Sequence, residues 1–233
     1  MRLARFLAKG GVDSRRACET HIRDGLVQVN GHTVRTPACT IDPQTDVILY
    51  RGDLVKMDAP TYIVLNKPTG YTCSAKDQHA SRLVLELLPR SLGRLFTIGR
   101  LDRDSEGLLL LTNDGDFAQR LAHPSNEVLK QYVVWCKGDA DRSTLAEMRS
   151  GVWNDGDFLK PETVEIVEND GTLAQLKITL TQGRKREIRR LCKTVGLEVR
   201  RLLRVAIGPL RLQDLASGEW RRLSAAETRL LQH

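Results

Sequence analysis

Residues 99–115 read GRLDRDSEGLLLLTNDG. Three acids, Asp102, Asp104 and Glu106, stand at alternate positions beside Arg100 and Arg103, just ahead of an unbroken aliphatic run at residues 108–111. Such a short apolar run, closed by the turn formers Thr112, Asn113, Asp114 and Gly115, predicts a strand buried on both faces. The loop before it has three readings. As a calcium loop it fails, because the bidentate glutamate required at the twelfth position would fall on Asn113. As a structural loop its acids pair with neighbouring arginines. As a catalytic loop it presents a carboxylate at a strand edge as nucleophile or base. The residues alone leave the last two open.

Working outward, residues 62–65 form an apolar strand that runs into Asn66-Lys67-Pro68-Thr69-Gly70. Residues 117–122 predict a helix stopped near Pro124, residues 128–136 a strand, and Leu145 with Met148 another helix. Residues 173–180 alternate as a half-buried strand does. Strands and helices interleave without a strict βαβ rhythm, so the fold class is α+β with a mixed, mostly antiparallel sheet flanked by helices. A helix from Arg184 would place Ile188, Leu191, Cys192 and Val195 on one side and Lys185, Arg186, Arg189, Arg190 and Lys193 on the other. Gly196 is its expected stop.

The first 35 residues read as two short helices and a hairpin. Leu3, Phe6 and Leu7 recur at helical spacing up to Gly10 and Gly11, Ser14 is a natural N-cap, and Ala17, Cys18 and Ile22 form the next apolar face, ended by Gly25. Val27, Gln28 and Val29 then meet Asn30-Gly31, a type I′ turn signal, and the chain returns through Thr33 and Val34. Residues 46–50 predict another strand. Arg15, Arg16 and Arg23 decorate this unit, either as a solvated helix face or as a phosphate-contacting surface. The segment SRRACETHIRDGLVQVNG (residues 14–31) resembles the alpha-L RNA-binding motif of a small-subunit ribosomal protein and of several RNA-modifying enzymes. The polar stretch 53–60 marks the domain boundary, giving domains 1–58 and 59–233.

In the full 233 residues, 36 Lys and Arg oppose 29 Asp and Glu, a formal charge of +7. Between Arg184 and Arg204 nine basic residues face two acids, so that one window carries the excess of the whole chain. Clustering of this kind points to a polyanionic partner. With 41% hydrophobic residues, a disordered chain is excluded. No apolar run is long enough to span a bilayer, and no secretory signal is evident at the N-terminus. Five scattered cysteines and five scattered histidines, His79 and His233 among them, form neither a disulfide framework nor a zinc knuckle. A reduced, cytoplasmic protein without a metal site is expected.

Four segments together resemble the ribosomal branch of the pseudouridine synthases, in the order that family uses. Residues 66–70 (NKPTG) resemble its first motif and residues 99–115 its catalytic motif. LKQYVVWC (129–136) carries its Lys-x-Tyr signature, and LTQGRKREIRRLCKTVG (180–196) its Gly-Arg-x-x-x-Ile-Arg-Arg motif. Gln182 stands where an acid is common and Ser105 where threonine is common. The two stretches GRKREIRRL and VRRLLRVAIGPLRL look closer to the large-subunit enzymes.

The resemblance implies site-specific isomerisation of uridine in ribosomal RNA, 23S before 16S, free or in a pre-ribosomal particle, by a monomer with no cofactor. It implies that Asp102 is the catalytic aspartate, Arg189 its basic partner and Tyr132 the ring that stacks on the target base. Ile178, Leu180 and Arg100 are implied pocket residues. Lys67, Arg184, Lys185, Arg186, Arg190 and Lys193, with Arg15, Arg16 and Arg23, are expected to contact RNA. A non-catalytic RNA-binding protein on the same scaffold is the alternative from another class.

Overall fold

The structure, a computed structural model, describes residues 1–74 and 82–232. His79 and His233 lie outside them. The described chain divides into two compact units: Met1–Thr61 with Arg90–Leu95 and Thr112–Gly115, and the remainder.

In the first unit, α1 (Leu3–Lys9) and α2 (Arg15–Arg23) bury Leu3, Leu7, Cys18 and Ile22 against each other. Ser14 caps α2 by accepting from the Ala17 amide at 3.2 Å. The hairpin β1 (Val27–Val29) and β2 (His32–Val34) turns through Asn30 and Gly31 at φ of 52° and 82°, the left-handed pair that a type I′ turn requires. The strand expected over residues 46–50 is shorter, β3 (Ile48–Tyr50), because Asp46 is taken up by the Asn30 side chain at 2.8 Å and the Asp42 amide. The stretch read as a linker starts as a fourth strand, β4 (Asp53–Leu54), paired with β3. Asp58 then donates its amide to the Lys9 carbonyl, so this stretch packs onto α1 rather than standing free.

The second unit is built on β5 (Tyr62–Lys67), β6 (Phe96–Ile98), β7 (Glu106–Thr112), α3 (Gly115–Ala122), β8 (Lys130–Lys137), α4 (Arg142–Ser150), the hairpin β9 (Val152–Asn154) and β10 (Asp157–Leu159), β11 (Thr163–Asn169), β12 (Leu173–Leu180), α5 (Glu187–Thr194), β13 (Glu198–Ile207), β14 (Leu210–Arg211), β15 (Trp220–Arg222) and α6 (Ala225–Leu230). Its main sheet runs β11-β12-β8-β13-β7-β5-β15, with β14 also paired to β13 and β6 to β7. β13 and β7 are parallel, and β8, β12 and β13 pair antiparallel, as a mixed α+β sheet. All of residues 108–111 are buried, Leu108 and Leu110 against Phe117, Val64 and Ile207. That explains the unbroken apolar run: a central strand has no solvent side.

Gly107 makes the parallel pairing possible. A Cβ there would lie 2.3 Å from the Arg204 carbonyl oxygen, and its φ is +104°. Only glycine lets β7 approach β13 so closely.

Candidate active site

The sheet register sets one wall of the site. Tyr132 on β8 lies opposite Ile178 on β12 and Arg204 on β13, and Lys130 opposite Leu180. Directly opposed residues share a face, so these five side chains belong to one side of the sheet. The loop 99–105 supplies the facing wall. Asp102, Tyr132, Leu180, Arg100 and Arg186 line a cavity of about 250 Å³. Behind it, Tyr132, Arg100, Lys130 and Arg204 line a second cavity of about 420 Å³. Of the expected pocket residues, Leu180 and Arg100 line the first cavity, whereas Ile178 is fully buried across from Tyr132 and lines neither.

The loop backbone is fixed from several directions. Lys67 Nζ donates to the carbonyls of Asp102 (3.1 Å), Ser105 (2.7 Å) and Pro68 (3.0 Å). The Gly70 amide donates to Arg103 O at 2.7 Å, and Arg189 Nη2 to Asp104 O at 2.9 Å. Lys67, expected at the RNA surface, instead lies buried beneath the loop. It is fully buried, all three of its protons are used, and burial lowers its ammonium below the ordinary lysine value, partly offset by nearby acids. The strand β5 extends through it, which carries its side chain inward beneath the loop.

The acids of the loop differ in their partners. Asp104 receives both Arg186 nitrogens at 3.1 Å and lies 3.2 Å from Arg189 Nε. Burial alone would raise its carboxyl; the Arg186 hydrogen bonds and the Arg189 charge outweigh that and hold it below the usual carboxylate range. Glu106 pairs with Arg201. Among the described residues, the one ion pair of Asp102 is a loose one, Arg186 Nη1 at 3.9 Å, and Asp102 lines the cavity. The arginine that approaches Asp102 is thus Arg186, whereas Arg189, expected as its partner, serves Asp104 and the Val199 carbonyl.

The basic helix also differs from expectation. α5 starts at Glu187, three residues later than the periodicity suggested, because Arg186 takes a left-handed conformation (φ 52°, ψ 32°) at its N-cap. The Glu187 carboxylate is buried and folds back onto the Arg184 amide at 2.9 Å, which fixes the turn; burial raises its carboxyl against that bond. Arg184 and Arg190 are not open phosphate contacts either. Arg184 pairs with Asp157 at 3.1 Å, and Arg190 with Asp157 and Asn154, each at 2.8 Å, so the β9–β10 hairpin covers that flank. Lys185 and Lys193 remain exposed, as do Arg15, Arg16 and Arg23 in the first unit.

Lys130 and Arg204 were not singled out by the sequence reading. Lys130 Nζ donates to Val128 O and Thr181 O at 3.0 Å, and burial, with Arg204 nearby, lowers its ammonium. Arg204 is buried and donates through Nε to Leu108 O at 2.7 Å. Lys130 had a signal, the Lys-x-Tyr spacing that places it on the face of Tyr132. Arg204 had none, since one arginine among nine basic residues carries no mark of burial.

Comparison with known proteins adds independent findings. Residues 61–194 match the family model described as RNA pseudouridylate synthase, and residues 1–47 match the S4 domain. An uncharacterized RNA pseudouridine synthase of Aquifex aeolicus is 39% identical over 97% of this chain and 92% of its own. Ribosomal large subunit pseudouridine synthase B of Bacillus subtilis is 34% identical over 99% of this chain and 95% of its own. A crystal structure titled as a pseudouridylate synthase superposes with a TM-score of 0.72 at 29% identity, covering 99% of both chains.

Proposed function

The chain belongs to the RNA pseudouridylate synthase family, and from that premise we propose that it isomerises a specific uridine of ribosomal RNA, with 23S rRNA as its substrate. The observation that carries the proposal is Asp102: a carboxylate at a small cavity beside Tyr132, on a loop whose backbone is clamped by Lys67.

In this reading the target nucleotide leaves its stack and enters the cavity. Flipping costs a few kcal/mol, least for a base already unpaired. Phosphate contacts from the basic surface offset that cost without reading sequence. Tyr132 packs its ring on the uracil, and its hydroxyl supplies a hydrogen bond. The Asp102 carboxylate faces the ribose and acts by one of two routes, attack on the anomeric carbon or removal of the 2′ hydrogen. Either frees the uracil, which turns and rejoins the sugar through C5; the second route returns a proton to C2′, and in both the C5 proton is lost to solvent while N1 gains one. Domain 1–58 holds the RNA and domain 59–233 performs the chemistry. A monomer working in the cytoplasm, on free rRNA or an assembling particle, completes the proposal.

The test is tritium release from 16S and 23S transcripts carrying uridine labelled at C5, with Asp102→Asn as control. Release from the 23S transcript alone, abolished in the variant, supports the proposal. Release from 16S alone moves the substrate to the small subunit. Tight binding without release from either transcript or from ribosomal precursor particles makes the chain a non-catalytic RNA-binding protein.

A further inference from the structure

The β9–β10 hairpin carries two exposed aromatic rings, Trp153 and Phe158. Its strands alternate: Val152 and Leu159 are buried, while Trp153 and Phe158 face the other way as directly opposed partners. Their ring centroids are 5.4 Å apart at an interplanar angle of 47°. Trp153 is 71% exposed, the most exposed of the large hydrophobic side chains among the described residues. Paired exposed rings of this kind form a contiguous apolar surface, the type of feature at which partners dock.

We propose that Trp153 and Phe158 form a stacking platform for an unpaired nucleobase of the RNA substrate, outside the Asp102 cavity. The proposal rests on RNA being the substrate, and not on the isomerisation itself.

An isolated two-stranded hairpin is marginal in water. This one is held rigid. Arg190 Nη1 pairs with Asp157 at 2.8 Å, Asn154 Nδ2 donates to Thr194 Oγ1 at 3.1 Å, and Arg184 Nη1 donates to the Phe158 carbonyl at 3.0 Å. The Phe158 ring lies directly over Gly151, where an added Cβ would come within 2.5 Å of it. The platform is therefore preorganised, which lowers the entropy lost when a base docks on it.

Two further observations choose nucleic acid as the occupant. Arg184, which grips the hairpin through the Asp157 carboxylate and the Phe158 carbonyl, also lines the cavity containing Asp102 and Tyr132, so one arginine links the hairpin to the candidate site. The charge also fits. The hairpin's own acids, Asp155 and Asp157, are matched by Arg190 and Arg184, while exposed Lys160 follows β10 and exposed Lys193 precedes the Thr194 that anchors the hairpin. That gives an apolar face for a base, with exposed lysines adjacent in the chain to the hairpin and to its anchor, and aromatic faces combined with cations bind single strands without reading their sequence. Paired RNA does not present its base faces, so the occupant is unpaired.

The test measures affinity of the full chain for a labelled oligouridylate of about twelve nucleotides and for a duplex of the same length. Trp153→Ala is expected to weaken single-strand binding about tenfold, with Trp153→Phe within about threefold of the parent because a ring is retained. Duplex affinity stays unchanged. In the double variant Trp135→Phe, Trp220→Phe, the remaining Trp153 fluorescence is expected to be quenched on oligouridylate binding. Equal single-strand affinity of Trp153→Ala and the parent overturns the proposal. So does self-association that Trp153→Ala abolishes, which would make the patch a contact between copies. Failure of the isomerase reading looks different: no tritium release from any rRNA, yet Trp153-dependent binding of oligouridylate. Normal tritium release with Trp153→Ala binding like the parent sinks the platform alone.

Discussion

Asp102 and Asp104 are two positions apart in a run of acids, yet their surroundings differ. Asp104 is saturated by two arginines, whereas Asp102 keeps one distant cation and an open cavity. Lys67 is the residue that places Asp102, since its ammonium ties the carbonyls on either side of the loop's turn. Lys67→Met removes those bonds from three carbonyls, of which Asp102 O keeps the Ser105 amide at 3.1 Å. We expect the saturated single-turnover rate to fall at least about a hundredfold, since small misplacements of a catalytic group are that expensive. RNA affinity and its salt dependence should stay as they are; a shallower salt slope would return Lys67 to the phosphate contacts. At Tyr132, where the ring is 7% exposed within the sheet face, Phe should retain more activity than Ala if stacking dominates. Equal losses in the same tritium assay would assign the work to the hydroxyl.

At the scale of elements, α5 shows how a start signal is hidden. The sequence 184–194 carries basic residues at helical spacing throughout, but the Glu187 carboxylate captures the Arg184 amide and Arg186 turns left-handed. That reverses the direction of the Arg186 side chain and delivers its fork to the acidic loop. A non-glycine residue in this conformation stores about 1–3 kcal/mol of strain, which is tolerated where the surrounding contacts over-determine it. α6 is defined more conventionally. Ser224 and Glu227 form a capping box, and Arg221 of β15 grips Glu227 with two bonds of 2.7 and 2.8 Å. The Arg221 bonds hold the Glu227 carboxyl at about 2, against an ordinary 4.5. A carboxyl depressed on folding stabilises the native state fully above its unfolded value, and that contribution is lost as pH falls from 4.5 through about 2. Glu227→Gln should cost about 1–2 kcal/mol at neutral pH. Denaturant melts of the variant should lack this part of the acid limb; an unchanged limb would place the acid sensitivity elsewhere.

For the whole molecule, the charge of +7 is less available than composition suggests. Much of the basic window is spent on internal pairs, Arg184 and Arg190 on Asp157, Arg186 and Arg189 on Asp104, Arg201 on Glu106. Arg16 and Arg23 of α2, and Lys185 and Lys193 of the α5 region, are exposed and are the phosphate contacts we propose. Arg16→Ala with Arg23→Ala should weaken rRNA binding and lower the salt slope by about one to two, since each phosphate contact contributes just under one. The saturated rate should not move. A fall in that rate, measured in single turnover, would contradict the division between RNA holding and chemistry.

The amino-acid sequence by itself determined the element types, because periodicity and turn chemistry are local. The Asn30-Gly31 hairpin, the Ser14 cap, the buried run at residues 108–111 and the alternation of β12 were all legible in this way. It also exposed the motifs that place the chain in its family. Tertiary structure alone decided which charges face one another. Lys67 and Arg204 read as surface cations yet are buried beneath Asp102 and across from Tyr132, and Arg186 rather than Arg189 reaches Asp102. The reason is physical. A strand or helix period fixes the face on which a side chain stands, whereas its partner comes from segments 35 or 82 residues away. Such pairings are set by sheet register and loop closure, to which local sequence contributes no signal.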